Sequence, residues 1–289
     1  MFKPFWPLAL IQQAPTAIKS KATNDPYAAW ELQQLAIAVP GGRRLATVNA
    51  VLRPGRVTAI LGPNGAGKSS LLRTLTGEWP AQGGQVLEAG RPLLGLPAAQ
   101  LARRRAVMPQ DGSVAFDFSV QEVVELGRYA HRLQPSQDEA GIVAQAMAAT
   151  GVAGLAARSI ITLSGGERAR AHLARALAQI WEAPPCGSAR WLLLDEPTAA
   201  MDLAYQHHTM ALLRRWAHEQ QVGVVAVLHD ANLALRYADE VLLVHAGGCE
   251  AGTVQRVLTA ETLARVWGVA CHATTAPDGV AQYLFSSSD

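Results

Sequence analysis

A glycine-rich stretch followed by lysine and serine is the part of the sequence that points most directly to chemistry. It reads Gly-Pro-Asn-Gly-Ala-Gly-Lys-Ser over residues 62–69, between a predicted strand at Val57 to Leu61 and a predicted helix at Lys68 to Leu75. Glycines let the backbone curl until successive N–H groups and the helix N-terminus surround phosphate oxygens. The predicted phosphate-binding residues are Gly62, Pro63, Asn64, Gly65, Ala66, Gly67, Lys68, Ser69 and Ser70.

Within this loop two side chains have distinct predicted tasks. The Lys68 ammonium would reach the β and γ phosphates of a nucleotide. The Ser69 hydroxyl suits Mg²⁺, a hard cation that prefers oxygen ligands. The pattern therefore predicts a site for ATP and Mg²⁺.

Two carboxylates end an apolar run that begins at Trp191. Asp195 and Glu196 would lie at the carboxyl edge of a parallel sheet, where ligands of α/β proteins bind. Asp195 is suited to hold Mg²⁺ through water, and Glu196 to polarise the water that attacks the γ-phosphate. An acidic strand end is also an ordinary solvated turn, so these residues alone leave both interpretations open.

A third motif, Leu-Ser-Gly-Gly-Glu at residues 163–167, precedes a predicted helix from Arg168 to Ala178. A serine and two glycines at a helix N-terminus form an ordinary cap, and they also form an anion site. A phosphate group already held by the glycine-rich loop needs no second such site in the same pocket. A second subunit would explain why both motifs are present.

The elements that must position these motifs alternate short apolar strands with helical stretches, a pattern typical of a mostly parallel sheet covered by helices. The predicted strands include Leu32 to Val39, Val57 to Leu61, Arg190 to Leu194, Val222 to Leu228 and Val241 to Val244. Alanine-rich helical segments between Leu101 and Gly154 predict an inserted helical subdomain. We therefore expect one domain over 27–289, with its core at about 27–105 and 158–289 and the helical subdomain at about 106–157.

Composition and charge exclude several classes of protein. The 289 residues are 49% hydrophobic with a net charge of +2, which leaves no electrostatic footprint for nucleic acid. No apolar run is long enough to span a bilayer. The three cysteines lack metal-ligand spacing, and the basic run Arg103 to Arg105 is interpreted as a solvated helix face.

The first 26 residues resemble a signal peptide only superficially. Lys3 precedes an apolar stretch from Phe5 to Ile11, but Pro4, Pro7 and Pro15 interrupt this region. We expect residues 1–26 to be a flexible arm outside the fold.

The three motifs in this order resemble the nucleotide-binding domain of ABC transporters, over roughly Ala28 to Gly252. The resemblance implies an α/β P-loop NTPase (RecA-like) fold with a mostly parallel sheet, helices on both faces, an antiparallel β subdomain and a helical subdomain. It also implies a head-to-tail homodimer. In that dimer Ser164, Gly165 and Gly166 of one subunit would bind the γ-phosphate held by Lys68 of the other.

Further residues acquire roles from the same resemblance. Gln110 matches a glutamine at the metal site, and His229 a histidine that contacts the γ-phosphate. Asp202 matches the aspartate of the family's D-loop and is counted with the nucleotide-binding residues. The implied catalytic residues are thus Glu196, His229 and Gln110, and the implied metal ligands Ser69, Gln110 and Asp195. The family's usual adenine-stacking aromatic is missing, since Val39 and Pro40 stand there; Tyr27 and Trp30 lie too early and are expected to pack.

The segment Phe-Ser-Val at 118–120 and Glu-Leu-Gly-Arg-Tyr at 125–129 resemble the importers of iron chelates, cobalamin and haem. Residues 163–170, 183–188 and 202–208 resemble the haem importers within that group. The implied function is to energise haem uptake at the cytoplasmic face of the bacterial inner membrane. The implied partners are a separate two-copy permease and, through it, a periplasmic binding protein.

Several alternatives stay open at this stage. The cargo of such an importer can also be a ferric siderophore or cobalamin, and a soluble ABC-type ATPase of repair or translation is the rival from another class. No direct haem contact is expected, because His207 and His208 are adjacent on a predicted helix and point in different directions. The segment from Gln110 to His131 is expected to dock the permease, with Phe116 and Phe118 exposed around Asp117.

Overall fold

The computed structural model describes residues 29–39, 42, 44–93, 95–110, 117–184 and 187–287. The predictions for the N-terminal arm at 1–26, for Tyr27 and for Phe116 lie outside these residues.

The strands and helices are numbered in chain order. The strands are β1 Trp30–Ala38, β2 Arg44–Leu52, β3 Val57–Leu61, β4 Gln85–Glu88, β5 Arg91–Pro92, β6 Arg105–Met108, β7 Arg190–Asp195, β8 Val222–Val227, β9 Glu240–His245, β10 Gly248–Thr253, β11 Ala270–Thr275 and β12 Ala281–Ser286. The helices are α1 Lys68–Leu75, α2 Ala98–Ala102, α3 Val120–Glu125, α4 Glu139–Thr150, α5 Gly165–Gln179, α6 Leu203–Gln220, α7 Ala231–Tyr237, α8 Val254–Val257 and α9 Ala260–Trp267. Within the described residues, 3-10 turns lie at Leu126–His131, Ala153–Leu155 and Ile160–Thr162.

A six-stranded sheet in the order β10-β9-β3-β8-β7-β6 organises the fold. β3, β6, β7, β8 and β9 run parallel, and β10 pairs antiparallel with β9. A second, antiparallel sheet has the order β2-β1-β4-β5, and β11 pairs with β12 as a hairpin. The predicted α/β class, with a mostly parallel sheet and an antiparallel β subdomain, is confirmed.

Both faces of the large sheet are covered, as the alternation of side chains along β7 shows. Leu192 and Leu194 pack into a core with residues of α5, α6 and α7. Trp191 and Leu193 belong to the opposite core, with residues of α1 and the antiparallel sheet. Trp191 stacks there on Trp30, with ring centroids 4.1 Å apart. The expected packing role of Trp30 is therefore confirmed.

Strand β6 was missed, and the interpretation of the basic run as a solvated helix face was wrong. Arg104 pairs with Glu88, and Arg105 in β6 donates to the carbonyls of Leu75 and Thr76. β6 has only four residues, and so short a run cannot be told from a helix by periodicity. It pairs with β7, so residues 105–108 belong to the main sheet.

The helical segments pack around a buried arginine. Arg128 Nε donates to Glu139 at 2.6 Å, and its Nη1 donates to the Ala178 carbonyl at 2.7 Å. The hydrogen bond from Arg128 lowers the pKa of Glu139 to about 2. A Cβ on Gly127 would lie 2.2 Å from the Arg175 carbonyl oxygen, so glycine is required for this close approach. Gly127 and Arg128 thus hold the turn Leu126–His131 against α5.

Close packing around the stacked tryptophans gives a stability prediction for Gly223→Ala. A Cβ at Gly223 would lie 2.4 Å from ring carbons of Trp191, which the stack on Trp30 keeps from moving. We expect the free energy of unfolding to fall by about 1–3 kcal/mol, measured by urea denaturation. Gly154→Ala is the control, because no atom of the described residues lies within 4 Å of its added Cβ. Equal stabilities of the two variants would contradict the prediction.

Candidate nucleotide-binding site

The glycine-rich loop connects the end of β3 at Leu61 to the start of α1 at Lys68. Gly62 has φ 148°, and a Cβ there would lie 2.0 Å from the Val244 carbonyl oxygen. Gly67, the residue that caps α1, has φ 105°. Only glycine adopts these conformations readily, so the loop needs glycine at both positions.

Lys68 is buried inside this loop, with 6% of its surface exposed. Its Nζ donates to the carbonyl oxygens of Gly62 at 2.9 Å and Pro63 at 3.1 Å. Burial lowers the pKa of Lys68, while the charges of Glu196 and Asp195 act in the opposite direction. The loop therefore holds a cation beside the two carboxylates at the end of β7.

A hydroxyl and a carboxylate meet next to this cation. Ser69 Oγ donates to Asp195 Oδ1 at 3.0 Å, and Asp195, the last residue of β7, is 3% exposed. Burial raises the pKa of Asp195, and the hydrogen bond from Ser69 partly offsets this. Arg73, four residues after Ser69 on α1, also lowers the pKa of Asp195. Arg73 was not predicted as a site residue, although its helical spacing from Ser69 was a usable signal.

Glu196 contacts two residues that follow neighbouring strands. Gln110 Nε2, after β6, donates to Glu196 Oε2 at 3.0 Å, and His229 Nε2, after β8, lies 2.6 Å from Glu196 Oε1. The strand order β8-β7-β6 brings the three carboxyl ends to one edge of the sheet. Glu196 has φ 53°, a left-handed conformation that costs about 1–3 kcal/mol and tends to occur at functional sites.

The Ser-Gly-Gly motif occupies the start of α5. Ser164 caps the helix, and Glu167 completes a capping box by accepting from the Ser164 backbone N–H at 2.8 Å. A Cβ on Gly166 would lie 3.0 Å from the Ala200 carbonyl oxygen. Asp202 caps α6 by accepting from the Tyr205 N–H at 2.9 Å. Within one chain, the start of α5 thus packs against the segment that leads into α6.

The buried carboxylate gives a prediction for Asp195→Asn. Because the pKa of Asp195 is raised above its ordinary value of 3.8, its ionisation opposes folding as the pH rises through 3.8 and beyond. The asparagine variant should therefore be more stable than wild type at pH 8, and the difference should shrink toward pH 4. Urea denaturation at both pH values measures this.

Asp278→Asn is the matched control with the opposite sign. The hydrogen bond from Arg236 lowers the pKa of Asp278, so its charge stabilises the fold above pH 3.8, and this contribution is lost as the pH falls through the lowered pKa. That variant should be less stable than wild type at pH 8. A destabilised Asp195→Asn at pH 8 would contradict our account of the site.

The described residues contain no group of three or more His, Cys, Asp or Glu side chains able to hold a metal ion. The same part of the chain has no helix of the length and apolarity that a bilayer crossing requires.

Comparisons with known proteins agree with this geometry. Residues 45–199 match the family model described as ABC transporter. The hemin import ATP-binding protein of Gloeobacter violaceus is 48% identical over 237 residues, 81% of this chain and 86% of that protein. Its namesake from Burkholderia pseudomallei is 44% identical over 265 residues, 86% of this chain and 97% of that protein.

The fold of a solved structure supports the same family. A metal-chelate type ABC transporter in an inward-facing conformation superposes with a TM-score of 0.74 at 26% identity, covering 89% of this chain and 97% of that one. The matched family model and the relatives together cover the glycine-rich loop, the Ser-Gly-Gly motif and the two carboxylates. The chain therefore belongs to the ABC transporter family, as an ATP-binding subunit.

Proposed function

We propose that this chain hydrolyses ATP as a homodimer to drive haem uptake through a separate membrane permease. The main support for ATP hydrolysis is the contact of Glu196 with both Gln110 and His229. These contacts lie at the sheet edge beside buried Lys68. Glu196 takes the proton of the attacking water, while the other two side chains hold its carboxylate in place. Lys68 binds the β and γ phosphates, and His229 contacts the γ-phosphate.

The oxygen atoms beside the loop fit Mg²⁺. Ser69 Oγ and Asp195 Oδ1 are 3.0 Å apart, and a cation would offset the unfavourable burial of the Asp195 charge. The side-chain amide of Gln110 donates an N–H hydrogen bond to Glu196. The carbonyl oxygen of the same amide is then left as a further ligand for Mg²⁺. When bound, Mg²⁺ neutralises negative charge on the β and γ phosphates.

The dimer is proposed because one chain carries two phosphate-binding motifs. Ser164, Gly165 and Gly166 form the N-terminus of α5, whose N–H groups favour an anion, and the two glycines lie against Ala200. We assign them, with Asp202, to the nucleotide held by the other subunit. ATP would then close the dimer.

Haem is proposed as the cargo because the relatives at 48% and 44% identity are hemin import proteins. The deciding experiment measures ATPase activity of the transporter reconstituted with its permease, when its binding protein carries haem, a ferric siderophore or cobalamin. We expect stimulation by the haem-loaded protein. Stimulation by a siderophore complex and not by haem would reject the cargo and keep the ATPase assignment.

The placement of the subunit follows from the same proposal. It would lie at the cytoplasmic face of the bacterial inner membrane, where its two copies contact a two-copy permease, and the permease would receive cargo from a periplasmic binding protein. We keep a single ATPase domain over 27–289, with the helical subdomain inserted after β6. The eight histidines need no contact with haem; His207, for example, lies 2.9 Å from the Tyr237 hydroxyl.

The permease-docking surface is placed on the turn after α3. Phe118 is half-buried against the core, so the expectation that it is exposed was wrong. Asp117 accepts a hydrogen bond from Ser159, so its carboxylate already has a partner within the chain.

The exposed apolar residues of this region are Leu126, Tyr129 and Leu133, the last of which is 80% exposed. Gly127 and Arg128 anchor the turn that carries the first two. Exposed apolar groups on an anchored turn are suited to contact a membrane partner.

We predict that the double variant Leu126→Ser with Leu133→Ser binds the permease about tenfold or more weakly, because two apolar anchors are removed from the contact. Its ATPase activity without the permease should be unchanged, since neither residue touches the nucleotide site. Co-purification with the permease measures the effect. Leu284→Ser, which removes a leucine that is 64% exposed on β12, is the control. Wild-type permease binding by the double variant would contradict the proposed surface.

A further inference from the structure

A cavity of about 630 Å³ opens between helices α4, α5, α6 and α7. Leu173 of α5, Leu212 of α6 and the ring of Tyr205 give it apolar walls. The volume is in the range of sites that hold small organic molecules. None of the residues assigned to the nucleotide site is among the described residues that line it.

The cavity wall carries an excess of positive charge. Among the described residues that line it, Arg170, Arg214 and Arg215 are positively charged and Glu219 is the one carboxylate. Arg214 donates to the Arg236 carbonyl at 3.1 Å. Within the part of the chain that the structure describes, the side chain of Arg215 has neither a hydrogen bond nor an ion pair. The charge of Arg215 is therefore available to a bound molecule.

Arg170 is the residue that points to the kind of ligand. It is only 7% exposed, and its guanidinium carbon lies 3.9 Å from the centre of the Tyr205 ring. Its Nη1 donates to the Gly151 carbonyl at 3.0 Å, at the end of α4. The same Nη1 also lies 3.4 Å from the Thr150 carbonyl oxygen, and the charge of Glu167, three residues earlier on α5, acts on Arg170 from a distance. Among the described residues, Nε has no hydrogen-bond partner and no carboxylate lies close enough for an ion pair with Arg170. A buried charge is costly unless an opposite charge and hydrogen bonds compensate it.

We propose that this cavity binds a small organic anion with an apolar body. Its carboxylate, sulfonate or phosphate group would accept from Arg170 and Arg215, and its body would pack against Leu173, Leu212 and Tyr205. Both arginines supply charge-assisted hydrogen bonds to such a group. This site is independent of the proposed haem cargo. Ser164 caps α5 and Asp202 caps α6, and both residues are assigned to the dimer interface. A ligand bound between these two helices would therefore contact both elements that position the interface residues.

Two dyes with the same aromatic body test the proposal on the full chain. 8-Anilinonaphthalene-1-sulfonate is an anion, and N-phenyl-1-naphthylamine is its neutral counterpart. Fluorescence titration should give saturable binding of the anionic dye to wild type, weakened about tenfold or more by Arg170→Met and by Arg215→Met. The affinity of the neutral dye should change less than twofold, because methionine keeps the apolar wall.

The controls separate this site from others. Arg132→Met removes an arginine that lies 4.1 Å from the Tyr129 ring in an exposed pair, and it should bind both dyes like wild type. Lys68→Ala should also keep the anionic dye. Should Arg170→Met fail to fold, Arg215→Met alone decides, since Arg215 has no hydrogen bond to lose.

Four results would each overturn the proposal. The first is an absence of saturable binding of the anionic dye to wild type, and the second is an unchanged affinity of Arg215→Met for this dye. The third is a loss of binding in Lys68→Ala, which would put the dye in the glycine-rich loop. The fourth is an equal loss of affinity for the neutral dye, which would mean that the arginines only shape the wall.

Discussion

Lys68→Ala is expected to reduce ATP turnover by at least about 10³-fold and to weaken nucleotide binding. The variant removes the one lysine in the loop, whose ammonium is fixed by the carbonyls of Gly62 and Pro63 at 2.9 and 3.1 Å. This charge is already positioned and buried, so it stabilises phosphate charge without reorganising. Lys68→Arg should not rescue activity, because a planar guanidinium does not fit a cradle built around a compact ammonium.

The measurement is steady-state ATPase activity of the purified chain, together with nucleotide affinity from calorimetry. Arg91→Ala is the control, because it removes one positive charge from an exposed position on β5. Circular dichroism should show that both variants are folded. Turnover near the wild-type rate in Lys68→Ala would reject the assignment of the glycine-rich loop.

The backbone elements around the glycine-rich loop could be predicted from the sequence almost residue by residue. The predicted helix Lys68 to Leu75 has the observed bounds, and β3 ends directly before the loop. These elements could be predicted because their signals are local. Gly62 and Gly67 have φ values of 148° and 105°, which favour glycine, and a lysine follows at the first helical position. Strand β7 was likewise predicted within one residue, because all its side chains are buried.

The contacts of Glu196 could not be predicted in the same way. They depend on β6 lying next to β7, and residues 105–108 were hidden in a stretch that the sequence indicated as helical. Gln110 is 86 residues from Glu196 along the chain, so only the pairing of distant strands brings them together. The left-handed conformation of Glu196 has no local signal, since it is not a glycine.

The cavity beside α5 illustrates a different limit of the sequence. Arg170 lies in a helix whose start was predicted from the Ser-Gly-Gly motif, but a buried arginine on a predicted helix looks like any exposed one. Its lack of an ion pair depends on which faces of α4 and α6 pack against it, and helical periodicity does not specify that packing.

Glu196→Gln is expected to bind ATP with near wild-type affinity and to hydrolyse it about 10²–10⁴-fold more slowly. The amide keeps the size of the side chain and can keep both contacts. Its oxygen accepts from Gln110 Nε2, and its NH₂ group donates to His229 when that ring nitrogen carries no proton. It cannot accept a proton from water at neutral pH, so only the chemical step is removed.

A second consequence follows if the Ser-Gly-Gly motif completes the nucleotide site of the other subunit. ATP that is bound but not hydrolysed would hold two chains together, so Glu196→Gln with ATP and Mg²⁺ should elute from a size-exclusion column as a dimer. Glu125→Gln is the matched control, because Glu125 accepts from the Gln121 amide at 2.8 Å on the exposed surface of α3. That variant should keep wild-type turnover. A Glu196→Gln protein that binds ATP yet elutes only as a monomer would contradict the shared site, whereas fast hydrolysis by this variant would remove Glu196 as the base.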